Sequence, residues 1–78
     1  MVNLPFISVV SINWNSVNDT LQLLSSIYKS DYPKNKYEVI VVDNNSSDNS
    51  VRIIKKKFPS TKIIELKKKE KLGVLAEQ

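Results

Sequence analysis

The chain has no cysteine, no histidine and only one glycine, Gly73, in 78 residues. Each absence removes a class of chemistry. A Ser-His triad, a thiol nucleophile or a Cys/His zinc site cannot be assembled from these residues, and the core must be held by packing without disulfides. A dinucleotide-binding turn needs glycines where the backbone approaches a pyrophosphate, and a P-loop needs its own. The loop after the first apolar run reads "NWNSVN" instead. No apolar run approaches the roughly 20 residues that span a bilayer. The start "LPFISVVSIN" has no basic segment before it and is interrupted by Ser8 and Ser11, so it reads as a folded strand rather than an export signal. A cysteine-free chain fits a reducing compartment, and the expected location is cytoplasmic.

The net charge of +4 is regional. Nine basic residues lie between Arg52 and Lys71 against Glu65 and Glu70, whereas residues 1–51 carry three basic and five acidic side chains. "KKK" at 55–57 and "KKKEK" at 67–71 suit either an anionic partner or a solvated helix face and a charged turn. No aromatic residues are interleaved as base-stacking platforms would require, so nucleic acid is not expected as a partner.

"FISVVSIN" (Phe6 to Asn13) and "YEVIVVD" (Tyr37 to Asp43) are short, rich in β-branched residues and apolar on both alternating faces, the pattern of strands covered on both sides. Between them Val17, Leu21, Leu24 and Tyr28 recur at helical spacing, with Ile27 widening the stripe. Ser16 and Asp19 resemble a helix-start box, and "KSDYPKNK" with Pro33 should end the helix near Ser30. Ser47 or Asp48 can cap a second helix with face Val51, Ile54 and Phe58, closed by Pro59, and "TKIIEL" (Thr61 to Leu66) is a third strand. Strand, helix, strand, helix, strand predicts an α/β fold, a Rossmann-like parallel sheet of about three strands with two helices. Such a sheet leaves an edge without a partner and one face poorly covered.

In parallel α/β sheets, ligands sit beyond the carboxyl ends of the strands. The polar clusters occupy those ends: Asn13, Trp14, Asn15 and Ser16 after the first strand, and Asp43, Asn44, Asn45, Ser46 and Asp48 after the second. Asp43 suits a sugar hydroxyl or the N–H edge of a base, while helix starts at Ser16 and Ser47 would favour phosphate. Together they describe a nucleotide lying across two loops. A strand-end acid bonding nearby backbone N–H groups is the structural alternative for Asp43, and a helix cap is that for Asp48. Trp14 suits either a stacking platform or the edge of the core.

"ISVVSINWNSVNDTLQLLSSIYKSDYP", "YEVIVVDNNSSDNSVRIIKKKFP" and "TKIIELKKKEKLGV" together resemble the amino-terminal part of the inverting nucleotide-sugar glycosyltransferases of family 2, with the GT-A fold. The similarity runs from about Phe6 to Val74, and its most specific part is "NWNS" paired with "VVDNNSSDNS". The resemblance implies that residues 1–78 are the amino-terminal nucleotide-binding portion of a longer glycosyltransferase domain. Asn13, Trp14 and Asn15 would line the base and ribose, Asp43 would bond the base, commonly uracil, and Asn44 and Ser46 would shape the same pocket. It also implies a UDP-sugar as the donor and a divalent metal, Mg or Mn, in the complete enzyme, which would transfer a sugar to an acceptor hydroxyl with inversion. Membrane association is left open for that longer protein. "EKLGV", Glu70 to Val74, looks like the start of the family's next nucleotide loop.

The chain departs from the family pattern after Gly73, where it reads "VLAEQ", and no Asp-x-Asp triplet for a metal occurs within residues 1–78. No catalytic base is assigned either, so nucleoside binding without turnover is expected of these residues. The alternative is a noncatalytic binding or assembly module that pairs with itself or a partner through the open sheet edge. A basic nucleic-acid binder using Arg52 to Lys71 is a further, less favoured expectation.

Overall fold

The computed structural model describes residues 3–66. They form β1 (Ile7–Asn13), α1 (Val17–Tyr28), a 3-10 turn (Lys34–Lys36), β2 (Tyr37–Asp43), α2 (Ser50–Lys57) and β3 (Lys62–Glu65). The "EKLGV" loop expected at Glu70 to Val74 lies outside the described residues. All three strands are parallel in the order β1-β2-β3, with β2 central. The β1–β2 register runs from Ile7 opposite Tyr37 to Asn13 opposite Asp43.

Strand order decides where the helices go. Two successive right-handed crossovers that step in the same direction along a sheet place both helices on one face. Accordingly, Leu24 of α1 and Ile54 of α2 meet Val39 and Val41 of β2 in a single core cluster, all at 0–1% exposure. Val9, Leu21, Ile27, Tyr28, Phe58 and Ile63 pack around it. The alternate strand residues point the other way, and Val10, Ile12 and Ile64 remain exposed. The expected cover on both faces is thus met on one face only within the described residues. A run of β-branched residues shows that a strand suits burial, but not that these two helices supply it twice.

At the amino ends of the strands, Tyr28 stacks on Phe58 with ring centroids 5.5 Å apart. The Tyr28 hydroxyl shares a 2.8 Å hydrogen bond with Thr61 Oγ1. This aromatic cluster packs at the end of the core away from the polar loops.

The helix starts differ from expectation. Ser16 is the N-cap of α1, but its side chain makes no cap bond; Ser16 Oγ instead points back to Asn13 Oδ1 at 3.5 Å. The N-cap of α2 is Asn49, one residue beyond the expected Ser47 or Asp48. Asp48 still serves the helix start, because its Oδ1 accepts from the Ser50 backbone N–H at 2.9 Å and from the Ser50 hydroxyl.

Candidate functional site

The end of β2 explains why an apolar strand runs into "DNNSSD". Asp43 is 4% exposed, and its two carboxylate oxygens organise the turn that follows. Oδ2 accepts from the Ser46 backbone N–H at 2.9 Å, and Oδ1 accepts from Ser46 Oγ at 2.7 Å. The turn passes through Asn45 at φ 61°, a left-handed conformation that Asn tolerates better than most residues. Asp43 therefore does form the local bonds of a strand-end acid.

It also reaches across the sheet. Asn13 is fully buried and is the register partner of Asp43, and its Nδ2 donates to Asp43 Oδ1 at 2.8 Å and to Ser46 Oγ at 3.2 Å. On the other side of the same amide, Asn13 Oδ1 accepts from Thr20 Oγ1 at 2.5 Å. Thr20 is itself only 4% exposed. Buried polar groups are costly unless bonded, and each of these is satisfied: among the described residues no buried side-chain N or O lacks a partner.

A second set of bonds ties the two loops together. Asn15, at φ 47°, donates its backbone N–H to Ser46 Oγ at 2.9 Å. Its side-chain Oδ1 accepts from the backbone N–H groups of Ser47 at 2.8 Å and Asp48 at 3.1 Å. The Asn44 N–H donates to the Asn13 carbonyl at 2.9 Å, carrying the ladder one step past the strands. The expectation that the chain near Ser47 offers N–H groups to a phosphate changes accordingly, since those of Ser47 and Asp48 are already taken by Asn15.

Beside this lattice lies an open cleft of about 470 Å³ between the ends of β2 and β3 and the start of α2. Asp43, Asn45, Ser46 and Asp48 line it, with Arg52, Lys55 and Glu65 opposite. Both signs of charge are present, and Lys55 Nζ sits 3.7 Å from the Glu65 carboxylate. Of the six residues singled out from sequence, Asp43 and Ser46 line the cleft, and Asn13 and Asn15 stand behind them and hold them. Asn44 is half-buried at the ladder end, and Trp14 is 56% exposed on the β1 loop and does not line the cleft.

Sequence patterning missed Thr20. A signal existed: Thr20 falls three residues after Val17 and four before Leu24, on the apolar stripe of α1, where a hydroxyl must find a buried partner. Arg52 and Lys55, on α2, form part of the cleft wall.

No three His, Cys, Asp or Glu side chains among the described residues are grouped as a metal ion would need. The side chains bonded to Asp43 are an amide and a hydroxyl, those of Asn13 and Ser46, so a divalent-metal donor set is not formed around it among the described residues. Among the described residues no helix is long and apolar enough to cross a membrane.

Comparison with known proteins identifies the family and the fold. The model of glycosyl transferase family 2 matches residues 8–75, and the chain belongs to that family. Glycosyltransferase AglE of Haloferax volcanii is 42% identical over 50 residues, which cover 64% of this chain and 16% of that protein. The poly(ribitol-phosphate) beta-N-acetylglucosaminyltransferase TarS of Staphylococcus aureus is 41% identical over 49 residues, covering 63% of this chain and 9% of TarS. The crystal structure of S. aureus TarS 1-349 in complex with UDP superposes with a TM-score of 0.74 at 30% identity, over 94% of this chain and 24% of that one. The mannosyltransferase PcManGT from Pyrobaculum calidifontis, in complex with GDP-Man and Mn2+, gives 0.70 at 30% identity over 91% of this chain and 21% of that one. The fold is that of GT-A glycosyltransferases. The chain spans about a sixth or less of the length of the curated relatives it matches.

Proposed function

We propose that residues 1–78 are the nucleoside-binding part of a glycosyltransferase that passes a sugar from a nucleotide diphosphate to an acceptor hydroxyl with inversion. The observation that carries this is the position of Asp43, a carboxylate at the carboxyl end of the central strand that borders an open cleft and is fixed from behind by Asn13. A carboxylate oxygen can accept two hydrogen bonds. Among the described residues Oδ2 takes only that of the Ser46 N–H, leaving capacity for one N–H of a base. Ser46 lines the cleft and Asn44 ends the ladder beside it, Asn13 and Asn15 hold the loops, and Trp14 offers an exposed ring for stacking on the neighbouring loop. The complexes of relatives with UDP, UDP-GlcNAc and GDP-Man support a nucleotide-sugar donor. A UDP-sugar is the donor we favour.

Calorimetry with UDP tests this reading. Saturable binding to the 78-residue chain, lost in Asp43→Asn with the fold retained by circular dichroism, is the expected result. A folded chain indifferent to UDP would overturn it. With Mg²⁺ or Mn²⁺ and a UDP-sugar, these residues should bind donor without hydrolysing or transferring it, because no Asp-x-Asp triplet occurs in them. Inversion is read from the anomer formed by the longer enzyme.

The exposed apolar face of Val10, Ile12 and Ile64 favours a second reading, an assembly module that pairs through its sheet. A stable oligomer by light scattering, dispersed by Ile12→Lys and indifferent to UDP, is the result that would select it.

A further inference from the structure

Thr20 lies in α1, touches no cleft and carries no role in the reading above, yet its hydroxyl is turned away from the helix. A mid-helix threonine commonly bonds back to the carbonyl four residues earlier. That carbonyl, on Ser16, already accepts the Thr20 backbone N–H at 3.1 Å, and Thr20 Oγ1 donates across to Asn13 Oδ1 instead.

The Asn13 amide is a rigid plane with an acceptor at one corner and a donor at the other, and torsion about its terminal bond is soft and nearly two-fold. The partners at its two corners therefore decide how it lies. Thr20 holds the acceptor corner at 2.5 Å, with the Ser16 hydroxyl more distant at 3.5 Å, and Asp43 Oδ1 and Ser46 Oγ hold the donor corner. Thr20 and Asn13 are at 0–4% exposure and neither lines the cleft, so bulk water does not readily replace a partner lost between them. Bonds in such a chain also strengthen one another by polarisation. The result at the far end is an asymmetric carboxylate. Among the described residues Oδ1 accepts twice, from Asn13 and from Ser46 Oγ, while Oδ2 accepts once.

We propose that Thr20 is a positioning residue for nucleotide recognition: through the Asn13 amide it fixes the plane of the Asp43 carboxylate and so directs an incoming N–H to Oδ2. This rests on the nucleoside-binding reading of Asp43. Thr20 itself contacts no ligand.

Thr61 supplies a matched control, because it too is a buried threonine whose hydroxyl makes one side-chain bond, to Tyr28, at the opposite end of the sheet. Thr20→Val and Thr61→Val each delete one buried hydroxyl at nearly constant volume. Thr20→Val is expected to weaken UDP binding about tenfold, Thr20→Ser to restore it to within about twofold, and Thr61→Val to lower stability while leaving UDP affinity unchanged. A readout free of ligand is the ¹⁵N spectrum of the 78-residue chain. The Asn13 side-chain amide and the Ser46 backbone amide should shift in Thr20→Val and stay in place in Thr20→Ser and Thr61→Val. Unshifted amides in Thr20→Val, or UDP affinity lowered equally by Thr61→Val, would overturn the proposal. Shifted amides in a chain that does not bind UDP would uphold the positioning contact and overturn the nucleotide assignment instead.

Discussion

Asn13 and Asp43 are the last register partners of the β1–β2 ladder, 30 residues apart in sequence, and the buried Asn13 Nδ2 donates to Asp43 Oδ1 at 2.8 Å. The two strand ends are thereby joined by side chains as well as by backbone. Removing either partner takes one bond from a buried polar group that keeps its others to Ser46.

Asn13→Ala should lower unfolding free energy by about 1–3 kcal/mol, because the Thr20 hydroxyl loses its acceptor and Asp43 Oδ1 loses one of its two donors together. Asn13→Asp should cost more at neutral pH, on the order of 3–5 kcal/mol, since it sets a second buried carboxylate against the first. Urea denaturation of the two variants checks the order. Asn13→Asp at least as stable as Asn13→Ala would mean that the pair is not buried as described.

Asn15 separates backbone from side-chain cost. At φ 47° glycine is unstrained, so Asn15→Gly should lose only the bonds to the Ser47 and Asp48 N–H groups. Asn15→Ala loses the same bonds and adds about 1 kcal/mol for a left-handed alanine. Thermal melts should therefore rank wild type above Gly and Gly above Ala.

The fold alters the titration of Glu38. Lys62 Nζ donates to it at 2.6 Å and Ser8 Oγ at 2.6 Å, and these bonds, that from Lys62 foremost, hold its carboxyl below the ordinary glutamate range. Between the folded and unfolded values the unfolded chain binds more protons, so stability rises with pH in that interval. The contribution is present at neutral pH and is lost as pH falls through the folded value. Glu38→Gln should flatten the acid limb of a stability-against-pH curve, and a limb of unchanged steepness would show that Glu38 does not contribute to it.

The two faces of the sheet should differ sharply. Leu24→Ala removes a fully buried side chain and should cost about 2–5 kcal/mol. Ile12→Ala, on a residue 58% exposed, should cost under about 1 kcal/mol. Equal losses at the two sites in a monomer would contradict the open face.

Much of this molecule can be read along the chain. Tyr37–Asp43 forms a strand with the bounds its β-branched run predicts, and α1 follows the stripe of Val17, Leu21, Leu24 and Tyr28, because alternation and helical spacing are local properties. The polar clusters at the strand ends were visible for the same reason, as was the family pattern they carry. Three things were not local. Which sheet face the helices cover follows from strand order and crossover handedness, which left Val10, Ile12 and Ile64 exposed. The N–H groups near Ser47 are occupied because Asn15, 32 residues earlier, reaches them across the sheet. Thr20, Asn13 and Asp43 became one hydrogen-bonded line only when the β1–β2 register set Asn13 against Asp43 and packing laid α1 over both. Spacing along a chain dictates the shape of each segment, whereas the partner of a buried polar group is chosen by which segments come to lie side by side.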